Sequence, residues 1–144
     1  MISKLRHTGI VVRNLDQSVL FYEALGFKTW KRELEQGQFL ETLVHLKKAR
    51  VETAKLKAPC GALLELLEYH SHPEQKEISQ QASNQLGFSH IALTVGSIDK
   101  TLECVHSCGG SLVNQPATSP DGTVRVAYCH DPEGNLLELV EEIS

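Results

Sequence analysis

Gly61-Ala-Leu-Leu-Glu65-Leu-Leu-Glu68 and Gly134-Asn-Leu-Leu-Glu138-Leu-Val-Glu141 are one octapeptide written twice, with six of eight positions identical and a seventh exchanging Leu for Val. A second phrase also returns: His7-Thr-Gly-Ile-Val-Val is answered by His90-Ile-Ala-Leu-Thr-Val. Each copy therefore carries one imidazole and one carboxylate on apolar segments. Internal repetition fixes architecture before any local reading does. Sliding the chain by 83 residues aligns His7 with His90, Leu15 with Ile98, Asp16 with Asp99 and Gly26 with Gly109. A shift of 73 aligns Glu65 with Glu138, so the first copy holds about ten extra residues between its landmarks.

Each copy reads strand, helix, then several strands, an α+β pattern. Residues 5–13 and 88–95 are rich in Ile and Val, as strands buried on both faces tend to be. Asp16 is the expected N-cap of helix one, with Val19, Leu20 and Leu25 as its apolar stripe and Gly26 as its end. Helix two starts near Asp99, turns Leu102 and Val105 inward, and stops at Gly109-Gly110. Strands are expected over 27–35, 50–57, 62–69, 111–114, 123–130 and 135–141, with Asp131-Pro-Glu-Gly134 as a tight turn. Phe39, Leu40, Leu43, Val44 and Leu46 fall near helical spacing, which predicts a short inserted helix between Gln38 and Lys48. The polar stretch 71–86 reads as a linker between module one (1–70) and module two (87–144) of a single domain, 1–144.

Strand alternation assigns the faces. His7 lies with Gly9 and Val11, and His90 with Ala92 and Thr94, so small neighbours leave room over both imidazoles. Glu65 and Glu138 interrupt apolar runs, and a buried carboxylate needs a proton, a cationic partner or a metal. Glu68 and Glu141 point the opposite way and are expected to be solvated. A lone core histidine is ordinarily satisfied by hydrogen bonds, and a lone buried glutamate often pairs with Lys or Arg. Two histidines and two glutamates in matched register can instead form an N₂O₂ site for Zn, Ni, Co, Mn or Fe with open positions.

The bulk numbers bound the remaining classes. A net charge of −4 gives no basic footprint for nucleic acid. No apolar run approaches the roughly 20 residues of a membrane helix, and Met1–His7 has no signal-peptide character, so a cytoplasmic protein is expected. Cys60, Cys104, Cys108 and Cys129 show no metal or disulfide spacing. His70 and His72 flank the start of the linker, where they could bind metal adventitiously; His45, His106 and His130 have no partner in register, and Tyr22 reads as core.

The chain resembles the vicinal oxygen chelate superfamily, which includes glyoxalase I, methylmalonyl-CoA epimerase, extradiol dioxygenases and fosfomycin or bleomycin resistance proteins. The carriers are His7-Thr-Gly-Ile-Val-Val-Arg-Asn-Leu-Asp16, Ser18-Val-Leu-Phe-Tyr22, Leu25-Gly-Phe27, Gly87-Phe-Ser-His90-Ile-Ala-Leu and Asp131-Pro-Glu-Gly-Asn135-Leu-Leu-Glu138-Leu. The resemblance implies two paired βαβββ modules forming curved half-sheets around a central metal cavity, often in a homodimer. It also implies His7, Glu65, His90 and Glu138 as ligands of one divalent ion, the pattern of glyoxalase I-like members. It further implies a small-molecule substrate and proton transfer next to a carbonyl through a metal-bound enediolate, with Glu138 or Glu65 as base. The glutathione-holding basic cluster of glyoxalase I finds no clear match here, Arg13 and Arg32 being candidates. Rival expectations are an acyl-CoA epimerase, a metal-free binding protein of the resistance type, and an Fe(II) dioxygenase.

Overall fold

The computed structural model describes residues 1–76 and 79–143; Glu77 and Ile78, inside the expected linker, and Ser144 lie outside the described residues. The chain divides into two compact units, Met1–Lys76 and Glu77–Ser144. The first runs β1 (Thr8–Val11), α1 (Leu15–Ala24), β2 (Lys28–Gln36), α2 (Gln38–Val44), β3 (Arg50–Lys57) and β4 (Leu63–Tyr69). The second runs β5 (Ile91–Thr94), α3 (Ile98–Ser107), β6 (Ser111–Leu112), β7 (Ala117–Thr118), β8 (Val124–His130) and β9 (Leu136–Glu142). The sheets are ordered β1-β4-β3-β2 and β5-β9-β8-β6, with β7 also on β8. Both are mixed: β1 and β5 run parallel to β4 and β9, while the remaining pairs are antiparallel.

In the first unit α1 packs on β3 and β4. Leu15, Val19, Phe21 and Tyr22 are buried, as are Ala54, Leu56, Leu64 and Leu66 on the strands. Tyr22 is core, as expected, edge-on to both Phe21 and Phe27. Leu20, expected inward, is exposed, because the stripe runs through Leu15, Ser18, Val19 and Tyr22, three and four residues apart. The N-cap is Asn14, whose side chain accepts from the Gln17 N–H; Asp16 lies inside the first turn. In the second unit Ser97 is the N-cap of α3, and Ile98 and Val105 are its buried residues. They belong to a core that includes Ala127, Cys129, Leu137 and Leu139. Burial pushes the Cys129 thiol up to about 11, which suits an inert core thiol.

Two further expectations change. β1 and β5 are edge strands with a single partner each, so Val11 is exposed where burial on both faces was expected. The stretch read as a linker is only partly a connector. The Gln81 N–H donates to the Gly134 carbonyl at 2.9 Å, and the buried His130 donates from Nε2 to the Gln81 carbonyl at 2.8 Å. Gly134 sits at φ 82°, and a Cβ there would meet the Ser79 carbonyl oxygen at 2.5 Å, so glycine is required twice over.

The inserted helix is present as α2. Leu40 is buried with Ala49 and Val51, and Val44, Leu46, Leu67 and Tyr69 pack against them. Phe39 and Leu43 face outward. Because Leu67 and Tyr69 share a face with Glu65, α2 closes one end of that face. No helix among the described residues is long and apolar enough to cross a membrane.

Candidate metal centre

The register puts small residues beside both key carboxylates: Gly9 is the partner of Glu65 across β1–β4, and Ala92 is the partner of Glu138 across β5–β9. Two residues earlier on the same face of each edge segment comes the histidine. His7 Nε2 lies 3.0 Å from Glu65 Oε2, and His90 Nε2 lies 2.9 Å from Glu138 Oε2. The repeat has thus built the same pair twice. Within each unit no third His, Cys, Asp or Glu joins the pair among the described residues.

The spacing suits a metal. Bonds from a divalent ion such as zinc to imidazole nitrogen or carboxylate oxygen run about 2.0–2.2 Å, so two donors at right angles on one ion sit about 3.0 Å apart and two on a tetrahedral ion about 3.4 Å, and both pairs lie at the shorter spacing. Hydrogen bonding around His90 agrees. The Ser89 hydroxyl donates to the Ser83 carbonyl at 3.2 Å and lies 2.9 Å from His90 Nδ1, so it accepts the Nδ1–H. In the neutral imidazole that leaves the Nε2 lone pair facing a carboxylate oxygen, an arrangement that calls for a cation or a proton between them.

The two pairs differ around their second oxygens. Glu65 is buried, and its Oε1 lies 3.5 Å from Lys55 Nζ. Lys55 sits directly opposite Glu65 across β3–β4, as Tyr128 sits opposite Glu138 across β8–β9. Tyr128 is edge-on to His90, with centroids 5.2 Å apart. Neither residue stood out in the sequence, although the shift of 73 that aligns Glu65 with Glu138 also aligns Lys55 with Tyr128.

Glu68 and Glu141 are corrected from solvated to structural. Glu68 Oε2 accepts the Leu15 N–H at 2.7 Å, and Glu141 Oε2 accepts the Ile98 N–H at 3.0 Å. Each carboxylate thereby caps the helix of its own unit, where negative charge meets the free N–H groups. Arginine completes both frames. Arg32 bridges Asp16 at 2.7 Å and Glu52 at 2.8 Å, and Arg125 bridges Asp99 at 3.0 Å and Glu141 at 3.2 Å. His70 and Arg32 hold the Glu52 carboxyl below its usual range, and Arg125 does the same for Asp99. Arg32, a candidate for substrate anions, is therefore committed to the frame. His70 lies 3.0 Å from Glu52 and 3.7 Å from Glu68, which gives it a structural place.

Residues 4–139 match the family described as the Glyoxalase/Bleomycin resistance protein/Dioxygenase superfamily. A probable lactoylglutathione lyase from Synechocystis sp. is 32% identical over 142 residues, spanning 97% of this chain and 96% of the relative. A lactoylglutathione lyase from Haemophilus influenzae is 28% identical over 138 residues, covering 96% and 92%. Among solved structures, a glyoxalase family protein from Bacillus cereus superposes with a TM-score of 0.92 at 26% identity, covering 100% of this chain and 97% of its own. The duplicated α+β units and the near full-length matches lead to one conclusion: the chain belongs to the Glyoxalase/Bleomycin resistance protein/Dioxygenase superfamily.

Proposed function

We propose that the protein is a divalent-metal-dependent lyase or isomerase of the glyoxalase type. His7, Glu65, His90 and Glu138 would hold one ion between them, drawn from the two modules of one chain or of two chains. The observation that carries this is the twofold occurrence of a His–Glu pair at 3.0 and 2.9 Å on matched strands. When bound, the ion supplies Lewis acidity to neighbouring substrate oxygens, which acidifies the adjacent C–H.

This chain's residues then divide the work. His7 and His90 provide neutral nitrogen donors, and Ser89 orients His90. Glu65, the more deeply buried of the two, is the fixed carboxylate. Glu138, whose Oε2 lies on His90 and whose side chain is the more exposed, is the carboxylate free to take a proton from carbon and return it to the neighbouring carbon. The substrate class is a small 2-oxo adduct such as a glutathione hemithioacetal, in line with relatives named lactoylglutathione lyase. A homodimer in the cytoplasm is part of the proposal. Leu5 and Phe88, matched by the shift of 83, are both exposed beside the edge strands, and a second copy would cover them.

The test is elemental analysis of untagged protein beside His7→Ala and His90→Ala, followed by turnover of a glutathione hemithioacetal against acyl-CoA thioesters. One ion per site, lost in both variants, with hemithioacetal turnover is the expected outcome. Wild-type protein that carries no ion and tolerates chelator would point to the metal-free binding reading. Turnover of the thioester alone would point to an epimerase.

A further inference from the structure

The repeat places different chemistry at one matched position beside the candidate ligands. Lys55 on β3 faces Glu65, where Tyr128 on β8 faces Glu138. Lys55 is about a quarter exposed, and at 3.5 Å its ammonium makes an ion pair with Glu65 longer than a well-formed hydrogen bond. Its neighbour across β2–β3 is Lys31, which is itself engaged with Glu33. Glu33, the acid on that side, is held below the usual carboxylate range by its bond to Lys31, with a smaller contribution from Lys55, so it already has a nearer cation.

Resting on the metal reading above, we propose that Lys55 is an anion-binding residue of the site. It acts as the counterion of Glu65 while no metal is present, and it is the group that receives a substrate oxyanion once a metal takes over that carboxylate. Two positive centres cannot share one carboxylate without opposing each other, so Lys55 must weaken metal binding. Once the charge of Glu65 is taken up by the ion, the ammonium is left on the same face without its partner. Its flexible four-carbon stem and three donors suit a carboxylate or an enolate oxygen. The ligand class this favours is a small molecule carrying a negatively charged oxygen next to its metal-binding oxygens.

The proposal predicts two effects of opposite sign from one substitution, which general damage to the fold would not produce. In Lys55→Met, which removes a positive charge facing the ion, Zn²⁺ should bind more tightly, by about tenfold in a chelator-competition titration. Oxalate should bind the Zn²⁺-loaded variant more weakly, by at least about tenfold in calorimetry. Lys55→Arg should stay near wild type in both, and Lys57→Met, which removes a charge from the same strand at a residue placed over Trp30 and opposite Leu63, should leave both within about twofold. If Lys55→Met lowers the melting temperature of the ion-free protein, Lys55→Gln gives the same two readings. Wild-type loading with unchanged or weaker Zn²⁺ affinity in the neutral variants, or unchanged oxalate affinity, overturns the role of Lys55 alone. Wild-type protein that takes up no Zn²⁺ overturns the metal reading and this inference with it.

Discussion

Glu65 and Glu138 occupy matched places on β4 and β9, each beside a histidine, yet they are held differently. Glu65 has an imidazole on one oxygen and an ammonium on the other, and its side chain is 12% exposed; the Glu138 side chain is 23% exposed and has an aromatic ring across the strand from it. The backs of the same strands are alike. Glu68 and Glu141 each cap a helix, and an arginine latches each frame to the helix's first-turn aspartate. The frame is the same in both units while the face that carries the histidine differs, and it is on this difference that the proposed division into a fixed ligand and a mobile base rests.

The sharpest way to break this comparison is to neutralise each carboxylate. Glu138→Gln should cut turnover by about 10²–10⁴ while metal content stays near one per site, the loss expected for a general base. Glu65→Gln should instead appear first as lost metal in dialysis. Equal metal loss in both, or retained turnover in Glu138→Gln, would end the division of labour. Next in size is the core. Leu66→Ala and Leu139→Ala remove matched, fully buried side chains and should each cost about 2–5 kcal/mol in urea unfolding.

Removing the caps should cost less. Glu68→Ala and Glu141→Ala should each lose about 1–2 kcal/mol, as helix caps do. An unchanged urea midpoint in either would show that water replaces the carboxylate at that helix. The smallest effect is in acid. The carboxyls of Glu52 and Asp99 are held below their usual range, by His70 with Arg32 and by Arg125 respectively. Groups depressed in the folded state stabilise above their unfolded pKa, and that stability is lost as pH falls through the folded value. The urea midpoint should therefore fall as pH drops below about 4, the unfolded carboxylate range. The fall should be shallower in Glu52→Gln and Asp99→Asn.

Much of this arrangement could be read from the chain because period and repetition are local signals. The two strand–helix–strands copies, an inserted helix between Gln38 and Lys48, and one inward histidine and one inward glutamate per copy follow from alternation and the two shifts; that each histidine meets the glutamate of its own copy comes from the parallel β1–β4 and β5–β9 registers. Facing alone showed that Glu68 and Glu141 turn away from the imidazoles. It could not show that they meet Leu15 and Ile98, because a cap contact spans 53 residues in one copy and 43 in the other. The exposure of β1 and β5 also depends on strand order, which Ile and Val content does not encode. Lys55 was hidden for a similar reason: it becomes a neighbour of Glu65 only through the β3–β4 register.

Glu65 and Glu68 are three apart on one strand, so they emerge on opposite faces, and Glu138 and Glu141 do the same. Each octapeptide is thus a rivet through its sheet, with a helix fastened at one head and the histidine-paired glutamate at the other. Such a part tolerates innovation on the next strand over. Lysine stands opposite the inward glutamate in one unit and tyrosine in the other, while the helix behind is fastened in the same way in both.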